Sequence, residues 1–180
     1  MIENGNSLSV TTGFNDNWIV DKHPNAGTRD NNESYNDTGI IIADDIEPIY
    51  ELCKRLIDDF EQLESIDYPK VMKWVRKKIE DSIDEYTVIY ADEQKAGYYH
   101  FYKNDDGQFE IDDLYVFPEF QNQGIGSGVI RKCCESAGGP VMLYVFIANR
   151  RAVSLYKRLG FEIAETIQGS RYIMRNENSR

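Results

Sequence analysis

Residues 109–127 read FEIDDLYVFPEFQNQGIGS. The first part, Phe109 to Phe117, is rich in aromatic and branched side chains and reads as a strand that Pro118 ends. From Ile125 onward, Val129, Ile130, Cys133, Cys134 and Ala137 recur at helical spacing until Gly138, Gly139 and Pro140 stop the helix. Gln121, Asn122, Gln123, Gly124, Ile125, Gly126 and Ser127 therefore lie between a strand and a helix. The unpaired N–H groups of the first helical turn face whatever sits in front of them. Gly124 and Gly126 remove Cβ atoms that would hold an anion off that backbone, and the helix dipole adds partial positive charge, so the loop is a candidate phosphate site. No Lys follows the second glycine, and the third glycine of a dinucleotide fingerprint is missing; neither a Walker loop nor a Rossmann turn fits.

Outward from this loop the chain alternates between helical and strand periods. Tyr86 to Ala91 and Ala96 to Tyr102 have strong β character and join Phe109 to Phe117 in an antiparallel meander. Before them, Ile49, Leu52, Cys53, Leu56, Ile57 and Phe60 fall on one helical face, and Pro69 opens a second helix with Val71, Met72, Trp74, Val75 and Ile79 as its apolar residues. The apolar run Ile40 to Ala43 suits a buried strand, with Asp44 and Asp45 as helix-start residues after it. Residues 1–37, rich in Asn, Asp and Gly, cannot bury enough surface to fold alone and read as an N-terminal tail with Trp18 as its anchor; the domain is expected over 38–180. Downstream, Val141 to Ile147 is apolar throughout, as a strand buried on both faces should be. Asn149 starts a helix that Gly160 ends, and Phe161 to Ile167 with Arg171 to Met174 make a closing hairpin.

The chain has 180 residues, and its 31 acidic against 20 basic side chains leave a formal net charge of −11, which repels phosphate backbones and anionic lipid. Neither a nucleic acid nor a membrane is expected as partner, and a cationic acceptor would be attracted. The first residues lack a basic start followed by an apolar stretch, no long apolar span occurs, and three cysteines give no disulfide framework. A cytoplasmic location is the expectation. His23 and His100 are too scattered for a metal cluster, so no metal site is expected; His100, in a Tyr-rich strand, reads as a surface or acceptor-pocket residue.

Leu114 to Pro118, then Gln121 to Gly126, then Asn149 and Tyr156, and finally Leu159, Gly160 and Phe161 together resemble the GNAT superfamily of acetyltransferases, over about 140 residues. The resemblance implies a mixed α/β fold. Its central sheet has six or seven largely antiparallel strands, splayed between the fourth and fifth, with about four helices on both faces. It also implies acetyl-coenzyme A as co-substrate, with residues 121–127 on the pyrophosphate and the backbone of Tyr115, Val116 and Phe117 along the pantetheine arm, in the manner of strand addition. The N–H of Val116 would meet the thioester oxygen. Asn149 would contact the cofactor while capping its helix, and Tyr156 would stand near the sulfur as proton donor. Taken without the resemblance, Tyr156 is a packed aromatic and Asn149 a helix cap.

Acetyl transfer to an amine needs a neutral nucleophile, oxyanion stabilisation and a proton for the departing thiolate. Glu110, Asp112 and Asp113 crowd the strand before the loop, and strict alternation puts Glu110 and Asp112 on one face with Asp113 on the other. Two like charges on one face raise a carboxyl pKa, as a base near neutrality requires. The base is Glu110, whose position matches the Glu that some family members use, or Asp112, or an ordered water. The alternative is a solvated acidic strand that only attracts a cation. The expected reaction is direct acetyl transfer to a primary amine on a small molecule, peptide or protein, by a monomer or homodimer. An acyl-coenzyme A-binding module without transfer is the alternative.

Overall fold

The three- and four-residue spacing of Ile49, Leu52, Cys53, Leu56, Ile57 and Phe60 yields α1 (Ile46–Phe60), with Ile49 and Ile57 fully turned into the core. The structure, a computed structural model, describes residues 18–20, 41–167 and 169–177. The tail expected over 1–37 and its boundary with the domain lie outside the described residues, apart from 18–20. The second helix, α2 (Tyr68–Ser82), begins where the Asp67 carboxylate accepts the Lys70 N–H at 3.2 Å, with Pro69 in the first turn where its missing N–H costs nothing.

The strand expected at Ile40 to Ala43 does not form among the described residues. Ile41 is buried, but Ile42 is exposed and its N–H donates to the Asp45 carboxylate at 3.0 Å. Residues Ala43–Asp45 make a 3-10 turn that leads straight into α1. A short polar side chain that binds the backbone three residues back favours a turn over a ladder, and this overrides the apolar run.

Among the described residues seven strands form one sheet: β1 (Trp18–Val20), β2 (Tyr86–Ala91), β3 (Gln94–Lys103), β4 (Phe109–Val116), β5 (Val141–Phe146), β6 (Glu162–Ile167) and β7 (Arg171–Asn176). Their spatial order is β1-β2-β3-β4-β5-β7-β6, antiparallel throughout except for β4 and β5. Trp18 stands opposite Ala91, so residues 18–20 extend the edge at β2. On one face, α3 (Ile125–Ala137) and α4 (Arg150–Arg158) cover a core that includes Ile111, Ile130, Leu143, Phe161 and Met174. On the other, α1 and α2 cover Val88, Tyr98 and Tyr115. The four helices on two faces and the largely antiparallel sheet match the expected fold class.

The splay is also present, and its cause is local. β4 and β5 pair only through Phe109↔Val141, Glu110↔Met142 and Ile111↔Leu143. At the next residue the β3–β4 register slips: His100 faces Asp113 and Phe101 faces Ile111, leaving Asp112 as the extra residue of a β-bulge. A bulge bends its strand, and here β4 leaves β5 at that point. Beyond it β4 stays against β3, where Gly97 permits a very close approach: a Cβ there would lie 1.9 Å from the Tyr115 carbonyl oxygen.

Candidate active site

Between the splayed strands lies a cleft of about 640 Å³. Its floor at one end is the loop before α3. Asn122 (φ 63°) and Gly124 (φ 85°) take left-handed backbone conformations that turn the chain sharply into the helix. The first helical bond runs from the Gly128 N–H to the Gly124 carbonyl at 2.9 Å, so the N–H groups of residues 125 to 127 precede the ladder and point out of the helix end. A Cβ on Gly126 would meet Val116 Cγ2 at 3.8 Å, an ordinary van der Waals contact, so any larger side chain there would extend beside the cleft that Gly126 lines. The Gln121 amide donates to the Val116 carbonyl at 2.9 Å and ties the loop to β4; Arg151 donates to the Asn122 side-chain oxygen at 2.6 Å and ties it to α4.

Of the residues expected at the cofactor, Tyr115 and Val116 from β4, Gln121, Asn122, Gly124, Ile125, Gly126 and Ser127 from the loop, and Asn149 and Tyr156 from α4 all line this cleft. Phe117 and Gln123 do not. Phe117 packs edge-on against Tyr98, 5.6 Å between centroids, and the Gln123 amide donates to the Glu119 carbonyl at 3.0 Å. Arg55, Arg151 and Arg158 add positive charge to the lining. Unpaired helical N–H groups, glycine backbone and the Arg151 guanidinium at the loop end of the cleft fit a ligand with a phosphorylated head, such as coenzyme A.

The backbone of β4 also has a direction. The Phe117 N–H donates to the Ala96 carbonyl at 2.8 Å, so Phe117 turns its hydrogen-bonding groups toward β3. Alternation then turns the Val116 N–H and carbonyl toward the splay, where the carbonyl meets Gln121. Across the cleft, Tyr156 sits half-buried on α4, its ring 5.9 Å from that of Phe161. Burial, with a further contribution from the Asp113 charge, pushes its phenol up to about 12, so it stays protonated at neutral pH. Asn149 caps α4 by accepting the Ala152 N–H at 3.1 Å and also lines the cleft.

Neither Glu110 nor Asp112 lines that cleft. Glu110, only 7 % exposed, lies at the crotch of the splay; burial raises its pKa, while a 3.3 Å hydrogen bond from Asn104 acts the other way. The expected separation of Asp113 from Asp112 fails because the bulge breaks alternation: both carboxylates meet the Lys78 ammonium from α2, at 2.6 and 3.1 Å. Burial alone would raise Asp112, but hydrogen bonds from His100 and Lys78 outweigh it and hold the carboxyl below its usual range. Asp113 also accepts hydrogen bonds from the Tyr86 and Tyr115 phenols.

His100 is not a surface residue. It is 3 % exposed, stacked between Tyr86 and Tyr102 at 4.7 and 4.6 Å, with its ring nitrogens 3.0 Å from Asp112 and 3.0 Å from Glu85. Burial disfavours its charge, but the two carboxylates prevail and raise its pKa. Lys78 and His100 thus belong to the polar network beside β4 although no motif marks them. A signal existed for each: Lys78 falls on the helical face of Val71 and Val75, and His100 alternates with Tyr98 and Tyr102.

Residues 49–161, more than half of the chain, match the model of the acetyltransferase (GNAT) family. An uncharacterised N-acetyltransferase of Methanocaldococcus jannaschii is 41 % identical over 64 residues, 33 % of this chain and 28 % of that protein. The bovine (Bos taurus) thialysine N-epsilon-acetyltransferase is 38 % identical over 77 residues, 40 % of this chain and 45 % of that one. The matched stretches span less than half the length of these relatives. Among solved structures, the PaiA N-acetyltransferase of Thermoplasma acidophilum in complex with coenzyme A superposes with a TM-score of 0.54 at 21 % identity, covering 74 % of this chain and 93 % of that one. At that identity the likeness concerns the fold. Among the described residues, no helix is long and apolar enough to cross a membrane.

Proposed function

The chain belongs to the acetyltransferase (GNAT) family, and from that premise we propose that it transfers an acetyl group from acetyl-coenzyme A to a primary amine by direct attack. The observation that carries this is the splay itself. One strand, β4, turns a backbone N–H into the gap at Val116 and carries Glu110 at its root, while the Tyr156 phenol stands opposite. Residues 121–127 with Arg151 would hold the pyrophosphate, and Tyr115 and Val116 would flank the pantetheine arm. When bound, acetyl-coenzyme A supplies the acyl group as an activated thioester.

The chain's own groups divide the remaining work. Glu110 takes a proton from the acceptor ammonium so that a neutral nitrogen attacks; its raised pKa supports this role over Asp112, whose carboxyl is held low by His100 and Lys78. The Val116 N–H donates to the carbonyl oxygen as it gains charge. As the carbon–nitrogen bond forms and the carbon–sulfur bond breaks, Tyr156 gives its proton to the sulfur. The second nitrogen proton, released as the amide forms, restores the phenol.

The kinship with thialysine acetyltransferases supports a side-chain amine on an amino acid as the first acceptor class to examine. The test is the melting temperature with and without acetyl-coenzyme A, since a ligand at 100 times its dissociation constant stabilises by about 2.7 kcal/mol. A rise of several degrees, followed by amine-dependent thiol release, is expected. A well-folded protein with neither response would overturn the proposal.

A further inference from the structure

Asn176, the last residue of β7, is polar yet only 7 % exposed, and acetyl transfer as described gives it no part. Its side-chain amide donates to the Leu159 carbonyl at 3.0 Å and lies 3.9 Å from Cys134 Sγ on α3. Leu159 ends α4, and the chain turns there in a Schellman motif. The Phe161 N–H donates to the Tyr156 carbonyl at 3.0 Å and the Gly160 N–H to the Lys157 carbonyl at 3.1 Å, with Gly160 left-handed at φ 85°. The contact of the Tyr156 and Phe161 rings, 5.9 Å between centroids, is the apolar pair that accompanies such a turn. Asn176 supplies the partner that the Leu159 carbonyl lacks within the helix. A Cβ on Gly160 would come 3.4 Å from Asn176 Nδ2, so the amide is seated directly against the turn.

The helix that this turn closes has little else to hold it. α4 is nine residues long and none of its side chains is fully buried, and a helix so short is not stable by itself. Its place depends on its ends. At the first, Asn149 accepts the Ala152 N–H and Arg151 binds Asn122, which ties that end to the loop of residues 121–127. Tyr156 lies in the last turn, at the other end, and that end is tied to the sheet through Asn176. Cofactor loop and proton donor are thus anchored through opposite ends of one short helix.

We infer that Asn176 is a positioning residue for the proton donor: by holding the Leu159 carbonyl it fixes the last turn of α4, and with it the Tyr156 phenol beside the sulfur. The inference rests on acetyl transfer with Tyr156 as donor, as proposed above, and adds what sets the donor's place. Proton transfer requires hydrogen-bond reach, and a displacement of about 1 Å can cost about a hundredfold in rate. Because the loop is tied to the opposite end of the helix, loosening the Asn176 contact should slow the chemical step and spare cofactor affinity.

The experiment measures thiol release from acetyl-coenzyme A, with L-lysine as the amine, in the native protein and in two variants that disturb the same contact from its two sides. Asn176→Leu keeps the volume and removes the donor; Gly160→Ala strains the turn and presses a methyl group on the amide. Each should lower kcat by about tenfold and keep both KM for acetyl-coenzyme A and the melting shift that it causes. Combined with Tyr156→Phe, each should cost less than about twofold more, since no donor remains to be misplaced. An equal loss in both backgrounds would make Asn176 a structural residue and overturn the inference, as would native kcat in either variant once folded. A second readout needs no acceptor: 3-fluorotyrosine placed at position 156 alone should give one fluorine resonance in the native protein, and a split or broadened one in either variant. An unchanged resonance would overturn the anchoring whatever the turnover. No thiol release by the native protein would overturn the donor role together with the transfer reading, and the resonance would then decide the anchoring by itself.

Discussion

Toward α3 and α4, strand β4 turns Phe109, Ile111, Leu114 and Val116, which pack into an apolar core beside the loop of residues 121–127. Toward α1 and α2 it turns Glu110, Asp112, Asp113 and Tyr115, which meet Lys78, His100, Tyr86 and Asn104. The first face builds its candidate ligand site from main-chain N–H groups and absent Cβ atoms. The second builds from side-chain charges whose partners come from other elements. A backbone site depends on conformation and so tolerates side-chain change nearby; a charge network depends on the identity of every member.

That contrast predicts which substitutions harm stability and which harm chemistry. The largest effect is expected for Lys78→Met. It removes the ammonium that Asp112 and Asp113 share, and breaking such a buried pair should cost about 3 kcal/mol of stability. Urea unfolding would measure it; a loss below about 1 kcal/mol would mean that the network is solvated like a surface pair. Glu110→Gln should leave stability nearly unchanged and lower turnover by about a hundredfold, the usual contribution of a general base. Because burial raises the Glu110 pKa, the acid limb of the native pH–rate profile should lie above the ordinary glutamate value of about 4.3 and vanish in the variant.

Tyr156→Phe comes next, with turnover reduced by some tens of times and affinity for acetyl-coenzyme A retained, as removal of a step-specific proton donor should do. A change confined to cofactor affinity would make Tyr156 a packing residue. On the backbone face, Gly126→Leu should abolish most of the melting shift with acetyl-coenzyme A without lowering the melting temperature of the protein alone, since its side chain would point at Val116 across the loop. The smallest effect concerns His100. Its pKa is raised in the folded state, so its contribution to stability is complete below the unfolded value of about 6.5 and is lost as pH rises through the folded value. Urea midpoints measured upward from pH 6 should decline accordingly, and His100→Gln should flatten that decline.

The same division explains what could be read from the chain beforehand. Residues 121–127, Asn149 and Tyr156 follow one another in a fixed order that local rules and a family resemblance can register, and the cleft brings nearly all of them together. Helix bounds were equally accessible, because the apolar spacing of α1 and α3 and the cap at Asp67 are local. The bulge was not. Nothing within FEIDDLYVF shows that Asp112 is a surplus residue; only the pairing with His100 does, and that pairing spans the β3–β4 hairpin. Lys78 approaches from 35 residues upstream of Asp113, so the acid–base balance of the strand stayed hidden until the helix was laid on it. The apolar run at Ile41 failed as a strand for a similar reason. Its register depended on Asp45, which also receives Lys95 and the Tyr98 phenol from β3.

Removing Asp112 would restore strict alternation along β4 and keep every other side chain on its present face, yet it would free Asp113 and Leu114 to pair onward with β5 beyond Leu143. The gap between the strands is therefore written into the chain as one residue too many, not wedged open by whatever enters it. Ligand capture then requires no prior unzipping of a β-ladder, and the association rate should be set by diffusion and orientation, with a single kinetic phase that scales linearly with ligand concentration.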